Sequence, residues 1–175
     1  SNDYKDCTTW FTCCHSYEKN IHKIEKLIRD GFDIQSHGYY HHTYAAKDQN
    51  RINIKKSLDF FKRLDHDVCG FAAPKGRWNR SLQEVLEELG FLYSSEFSLD
   101  YDNLPFYPVV KGRFSKTLQI PIHPLCWGLY MDAGIKNDDA VKDYMLKVIE
   151  HGFAIGMPVM IYGHPGENIS KKTGL

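Results

Sequence analysis

Two histidines four residues apart have the types and spacing to bind a metal ion. They are His37 and His41, in the segment from 36 to 41 that reads Ser-His-Gly-Tyr-Tyr-His. On a helical turn, side chains at this spacing share a face, with β-carbons about 5 to 6 Å apart. Neutral imidazole nitrogens suit zinc, and a catalytic zinc site needs a third protein ligand and an open position for water. The pair alone is also typical of ordinary polar loop residues, and His42 adds another candidate.

The elements that must position these histidines follow a repeated pattern of helix, glycine, phenylalanine and strand. The glycines are Gly31, Gly90 and Gly152, and apolar residues recur at helical spacing before each of them. Asn79 is the predicted N-cap of the second helix, and Asn137 or Asp138 that of the third. The apolar positions are Ile21, Ile24, Leu27 and Ile28, then Leu82, Val85, Leu86 and Leu89, then Val141, Tyr144, Met145, Val148 and Ile149.

Strands are predicted after each of these glycines, and two more fill the gaps between them. The predicted strands cover 32–35, 70–72, 91–93, 118–120 and 159–162, the last one buried, and a fourth helix carries Ile54, Leu58, Phe61 and Leu64. Alternating strands and helices of this length predict an α/β fold, with a parallel sheet or a βα barrel. In such folds the active site lies just past the carboxyl ends of the strands. That rule selects His37 and His41, the Pro74 to Gly76 loop, the segment from Ser94 to Asp102, the loop after Ile120, and His164.

Net charge, apolar stretches and cysteine content limit which partners and which compartment suit the protein. Twenty-two basic and twenty-two acidic residues cancel, so no overall field favours nucleic acid or an anionic membrane, whereas a neutral sugar fits. No apolar stretch reaches the roughly 18 residues that a membrane span needs. The cysteines lack the C-x-x-C pairs of a structural zinc site and favour a reducing compartment, so we expect a cytoplasmic protein. They are Cys7, Cys13, Cys14, Cys69 and Cys126.

Five motifs, in order, resemble the NodB-homology polysaccharide deacetylases, the family also called carbohydrate esterase family 4. Residues 7–11 are similar to the family's second strand, which often reads Ala-Thr-Phe-Phe, and 31–41 to its metal motif. Residues 71–76 are similar to its Phe-Arg-x-Pro-Tyr-Gly motif and 89–93 to the stretch that follows. Residues 161–165, Ile-Tyr-Gly-His-Pro, resemble the closing Leu-x-His motif. The resemblance covers nearly the whole chain.

The resemblance implies a distorted (β/α) barrel that binds a divalent metal, most readily zinc, through an Asp-His-His triad and removes acetyl groups from sugars. It assigns His37 and His41 to the metal and His164 to the general acid that protonates the leaving amine. Asp102 lies where the family's fourth motif orients the catalytic histidine; an acidic surface turn is the alternative. The expected substrate contacts, with Trp127 stacking on a sugar ring, are Pro74, Gly76, Trp78, His123 and Trp127.

Two departures from the family pattern bear on catalysis. The Thr-Phe-Asp-Asp-Gly motif, which supplies the third metal ligand and the catalytic base, is absent, since Asp3 and Asp6 lie too close to the second strand. We expect the intact protein to carry that motif on a strand ahead of Ser1, so that residues 1–175 form a single, N-terminally incomplete domain. Ala72 stands where the family usually has an arginine that orients the catalytic aspartate.

The leading hypothesis is a metal-dependent deacetylase acting on N-acetylated sugars of a bacterial surface polysaccharide, such as lipopolysaccharide or capsule, or its precursor. A catalytically inactive carbohydrate-binding relative is one alternative, suggested by the missing aspartates and by Ala72. An allantoinase-like amidohydrolase acting on a small non-sugar amide is the other. Metal binding and assays on free amides distinguish the three.

Overall fold

The computed structural model describes residues 5–97, 104–123 and 138–164. Chain contacts divide the molecule into two compact units. Unit 1 comprises Ser1–Glu96 and Pro105–Ile120, and unit 2 comprises Phe97–Leu104 and Pro121–Leu175. Asp102 and Trp127, two of the predicted site residues, lie outside the described ranges.

Unit 1 is built around a five-stranded sheet in which every neighbouring pair is parallel. Each strand lies next to the strand that precedes it within the sheet, so all the carboxyl ends lie at one edge. In spatial order the strands are β1 Thr9–Thr12, β2 Asp33–Ser36, β3 Gly70–Ala72, β4 Tyr93–Ser95 and β7 Leu118–Gln119. The helices are α1 Ile21–Arg29, α2 Lys47–Lys62 and α3 Arg80–Glu88, and β5 Val109–Val110 pairs antiparallel with β6 Arg113–Phe114. Helices α1, α2 and α3 lie in the first three connections, and the β5–β6 hairpin lies in the fourth, which confirms the α/β class and the parallel sheet.

Local sequence signals set both ends of α3 as predicted, and Gly31, with a φ of +78°, ends α1 as predicted. The Asn79 side-chain oxygen accepts a hydrogen bond of 2.8 Å from the Leu82 N–H at the start of α3. Gly90 has a φ of +81°, a conformation that costs glycine least. There the Phe91 N–H donates to the Leu86 carbonyl at 3.0 Å, the bond that closes a helix end of this type. Helix α1 is therefore followed closely by β2, and helix α3 by β4.

Helix α2 contributes buried side chains to two apolar clusters of unit 1. Ile54 belongs to one cluster, and Phe60 and Phe61 belong to the other. Burial of these side chains holds the helix over the sheet. The same buried face also carries polar residues, Asn50 and Asn53, which turn toward the candidate site.

In unit 2, helix α4 Asp138–Ala154 runs past Gly152, so the prediction that Gly152 ends it is wrong. Gly156, with a φ of +70°, ends the helix instead, and the Met157 N–H donates to the Gly152 carbonyl at 2.8 Å. A β-carbon on Gly152 would lie 2.1 Å from a methyl of Val159. Glycine is therefore required at 152 for close packing and at 156 for the turn.

The buried strand predicted for residues 159–162 is also wrong. These residues have no strand assignment, and Met160 and Ile161 are exposed. An apolar run is buried only where other elements cover it, and the described part of unit 2 does not cover these two side chains. No helix in the described ranges has the length and hydropathy of a membrane span.

Candidate active site

His37 is the first residue beyond β2 and is half-buried at the carboxyl edge of the sheet. Its backbone N–H donates to the Thr12 carbonyl at 2.9 Å, which extends the pairing of β2 with β1. Its ring Nδ1–H donates to the Ala72 carbonyl, at the end of β3, at 2.7 Å. Because Nδ1 carries the proton in this bond, the lone pair of the neutral ring lies on Nε2.

His41 is exposed, and its ring centroid lies 5.0 Å from that of His37 with the ring planes at 54°. The segment between them is not helical, so the helical-turn model for this pair is wrong. Gly38, with a φ of +81°, reverses the chain after His37. Bends at residues 39–41 then bring the second ring back to the first.

Two buried asparagines of α2 hold the loop that carries His41. Asn53 accepts a hydrogen bond from the Tyr40 N–H at 2.7 Å and donates to the carbonyls of Tyr40 at 3.2 Å and His42 at 3.1 Å. Asn50 accepts from the Tyr44 N–H at 2.9 Å and donates to its carbonyl at 2.7 Å. The loop backbone therefore has partners even though it forms no regular structure.

Sequence reasoning missed both asparagines. A signal for them exists, because Asn50, Asn53 and Ser57 occupy the same helical stripe as Ile54 and Phe61. Polar residues on a buried stripe must find hydrogen-bond partners. For Asn50 and Asn53 those partners are in the loop that carries His41, and for Ser57 the partner is the Ser36 hydroxyl at the end of β2.

The loop after β3 lies at the same edge of the sheet. Pro74 is buried and Gly76 half-buried, in a short 3-10 turn covering Pro74–Gly76, and Lys75 between them is exposed. Trp78 is half-buried, and its indole N–H donates to the Gln83 side chain at 3.0 Å. Pro74 and Gly76 thus belong to the turn that follows Ala72, whose carbonyl accepts the His37 hydrogen bond. The Trp78 N–H bonds to helix α3.

Glu96 is a second residue that sequence reasoning missed. It follows β4, and its side chain is fully buried. One carboxylate oxygen accepts from the Ala73 N–H at 3.0 Å and from the Ser94 hydroxyl at 2.6 Å, and the other accepts from the Gln119 amide. Burial raises the pKa of this carboxyl to about 7, although the three hydrogen bonds oppose the shift.

Two predicted site residues, His123 and His164, belong to unit 2. His123 is half-buried; its backbone N–H donates to the Met160 carbonyl at 2.6 Å, and its ring lies 6.4 Å from that of Tyr144. His164 is exposed, with its ring 6.2 Å from that of Tyr162. Neither arrangement assigns a chemical role.

The donor set of His37 and His41 fits two positions of a zinc site. Both rings can present nitrogen, and the bond from His37 to a backbone carbonyl is the usual way in which a metal-binding histidine is oriented. Among the described residues, no three His, Cys, Asp or Glu side chains group closely enough to hold a metal ion. The pair therefore supplies part of a ligand set.

Comparison with known proteins gives the fold and the family. The family model of polysaccharide deacetylases matches residues 2–94. A Mycobacterium smegmatis protein described as a polysaccharide deacetylase shares 17% identity and a TM-score of 0.62, over 94% of this chain and 78% of that one. Puue allantoinase has 22% sequence identity and a TM-score of 0.71. A Pseudomonas aeruginosa protein described as a polysaccharide deacetylase has 23% sequence identity and a TM-score of 0.70.

At these identities the three structures show a shared fold. The matches to the allantoinase and to the Pseudomonas protein each include 87% of this chain. They include only 52% of those two longer proteins, so this chain spans about half of their length. No curated protein matches the sequence. The family model spans more than half of the 175 residues, and the chain therefore belongs to the polysaccharide deacetylase family, as its ordered motifs predict.

Proposed function

We propose that this chain is part of a metal-dependent deacetylase that hydrolyses the acetyl amide of an N-acetylated sugar. One observation carries the proposal: the His37 and His41 rings lie 5.0 Å apart, with His37 oriented by the Ala72 carbonyl. Family membership supports the reaction class. A bacterial surface polysaccharide, or its precursor, is the substrate that the family resemblance favours.

His37 would bind the metal through Nε2 and His41 through its own imidazole. A bound divalent ion, zinc in view of the nitrogen donors, would lower the pKa of a water molecule and polarise the acetyl carbonyl. Because His37 is partly buried, bulk water would have limited access to the metal bound at its ring. His164 would donate a proton to the leaving amine, a role that rests on the resemblance alone.

Acetate release from an N-acetylglucosamine oligosaccharide tests this function. The zinc-loaded whole protein, of which this chain is part, is expected to release acetate, and a chelator is expected to stop it. His37→Ala and His41→Ala should each lose bound zinc, measured by elemental analysis, and acetate release. His42→Ala is the matched control, because it removes the neighbouring imidazole and should keep both.

Other outcomes support the alternatives. An inactive carbohydrate-binding relative would bind the oligosaccharide without releasing acetate. Hydrolysis of allantoin without hydrolysis of the sugar amide would favour an amidohydrolase of small amides. Unchanged zinc stoichiometry in His37→Ala and His41→Ala would overturn the ligand assignment.

A further inference from the structure

We propose that Glu96 is a positioning residue for His37 and acts through the peptide group that joins Ala72 to Ala73. The carbonyl of this peptide accepts the His37 Nδ1–H at 2.7 Å. Its N–H donates to the Glu96 carboxylate at 3.0 Å. One planar peptide thus connects a buried carboxylate to a candidate metal ligand. The consequence for metal binding rests on the proposed function.

The peptide transmits orientation because its six atoms lie close to one plane. When Glu96 fixes the direction of the N–H, it also fixes the opposite direction of the Ala72 carbonyl. The carbonyl in turn selects the Nδ1–H tautomer of His37 and the angle of its ring. A residue 59 positions away in sequence therefore determines which nitrogen of His37 can bind a metal.

The peptide also transmits charge. Glu96 is fully buried, and the donors to its carboxylate are uncharged: a backbone N–H, a hydroxyl and a side-chain amide. In a low-dielectric interior an ionised carboxylate polarises the peptide that donates to it, and successive hydrogen bonds strengthen one another. The Ala72 carbonyl becomes a stronger acceptor, which makes His37 Nε2 a better donor to a metal.

The surrounding contacts fit a positioning role better than a purely structural one. If Glu96 only filled space, an apolar residue of similar volume could take its place at little cost in the free energy of unfolding. Instead, Ser94 and Gln119 hold both carboxylate oxygens in place. The raised pKa of about 7 marks the energetic cost of keeping a carboxyl group here.

Nitrogen-edited NMR of the His37 ring in the metal-free chain tests the proposal. Spectra are recorded at a pH well above the Glu96 pKa of about 7, and the His37 signals are assigned by their loss in His37→Ala. The wild-type chain should show the Nδ1–H tautomer. Glu96→Gln keeps the acceptor for Ala73 but removes the charge, so the Nδ1–H proton should move upfield. Glu96→Met removes the acceptor and should mix the two tautomers.

Zinc titration adds a second readout. Glu96→Met should weaken zinc binding about 10-fold, the lower end of the loss seen for outer partners of metal ligands, and Glu96→Gln should weaken it less. Thr117→Val is the matched control. Thr117 is fully buried and donates to the Phe91 carbonyl at 2.9 Å, so its loss should lower stability without altering the His37 ring signals or zinc affinity.

An unshifted His37 Nδ1–H resonance in Glu96→Gln would overturn the proposal, even if Glu96→Met does not fold. A shift in Glu96→Gln together with an equal shift in Thr117→Val would overturn it too, because the effect would then follow general destabilisation. Absence of zinc binding by the wild-type chain would instead refute the proposed function, while the tautomer readout would still decide the role of Glu96.

Discussion

Asn53 shows how a single residue outside the candidate ligand set shapes the site. The loop from His37 to Tyr44 has no regular secondary structure, yet its backbone groups bond to side chains of α2. Asn53 makes three of these bonds. A β-carbon on Gly38 would lie 3.0 Å from the Asn53 amide nitrogen, so glycine permits the asparagine to approach. Spacing along the chain identifies the histidines, but these contacts set the geometry between them.

Asn53→Ala should therefore lower both stability and zinc affinity. The substitution leaves the Tyr40 N–H and two carbonyls without their present partner, at a cost of about 2 to 3 kcal/mol in the free energy of unfolding, since each lost bond costs about 1 kcal/mol. Urea unfolding and zinc titration measure the two effects. Ile52→Ala, at an exposed neighbouring position of α2, should change neither. Unchanged zinc affinity in Asn53→Ala would show that the loop geometry does not depend on this residue.

At the scale of elements, a charged cluster joins α2, α3 and the turn between β5 and β6. Glu84 of α3 receives Lys47 at 3.0 Å, Arg80 at 3.2 Å and Lys111 at 2.8 Å. The Lys111 and Lys47 ammonium groups lower the pKa of this carboxyl to about 2. The cluster links segments that are far apart in sequence.

This pKa shift predicts the acid sensitivity of the fold. Because the folded pKa lies below the ordinary value of 4.5, the stabilisation is present above pH 4.5 and declines as the pH falls toward about 2. Glu84→Gln should be less stable than the wild type at neutral pH, and the difference should shrink over that range. Urea unfolding midpoints as a function of pH measure it. A difference that stays constant with pH would contradict the assigned cluster.

The element ends show where sequence patterns succeed and where they fail. Gly31 and Gly90 end their helices as predicted, because each is the only glycine near its helix end. Gly152 and Gly156 lie four residues apart, and the pattern alone cannot say which one turns the chain. Tertiary packing against Val159 decides it. The choice depends on a contact that forms only in the folded unit.

At the scale of the whole molecule, alternating helices and strands predicted the class and the parallel sheet, and the ordered motifs predicted the family. Parallel order brings the carboxyl ends of β2, β3 and β4 to one edge, so His37, Ala72 and Glu96 meet although they are distant in sequence. The pair of histidines was predictable because both belong to one short segment. Glu96 and Asn53 were not, since their partners are set by the register of neighbouring elements.

The central claim is that His37 and His41 bind a metal together, and X-ray absorption at the zinc edge tests it most directly. The zinc-loaded wild-type chain should show at least two imidazole nitrogens at about 2.0 to 2.1 Å from the metal, and His37→Ala or His41→Ala should lose an imidazole from that shell. A zinc shell in the wild type that contains no imidazole, or one that both variants leave unchanged, would contradict the account.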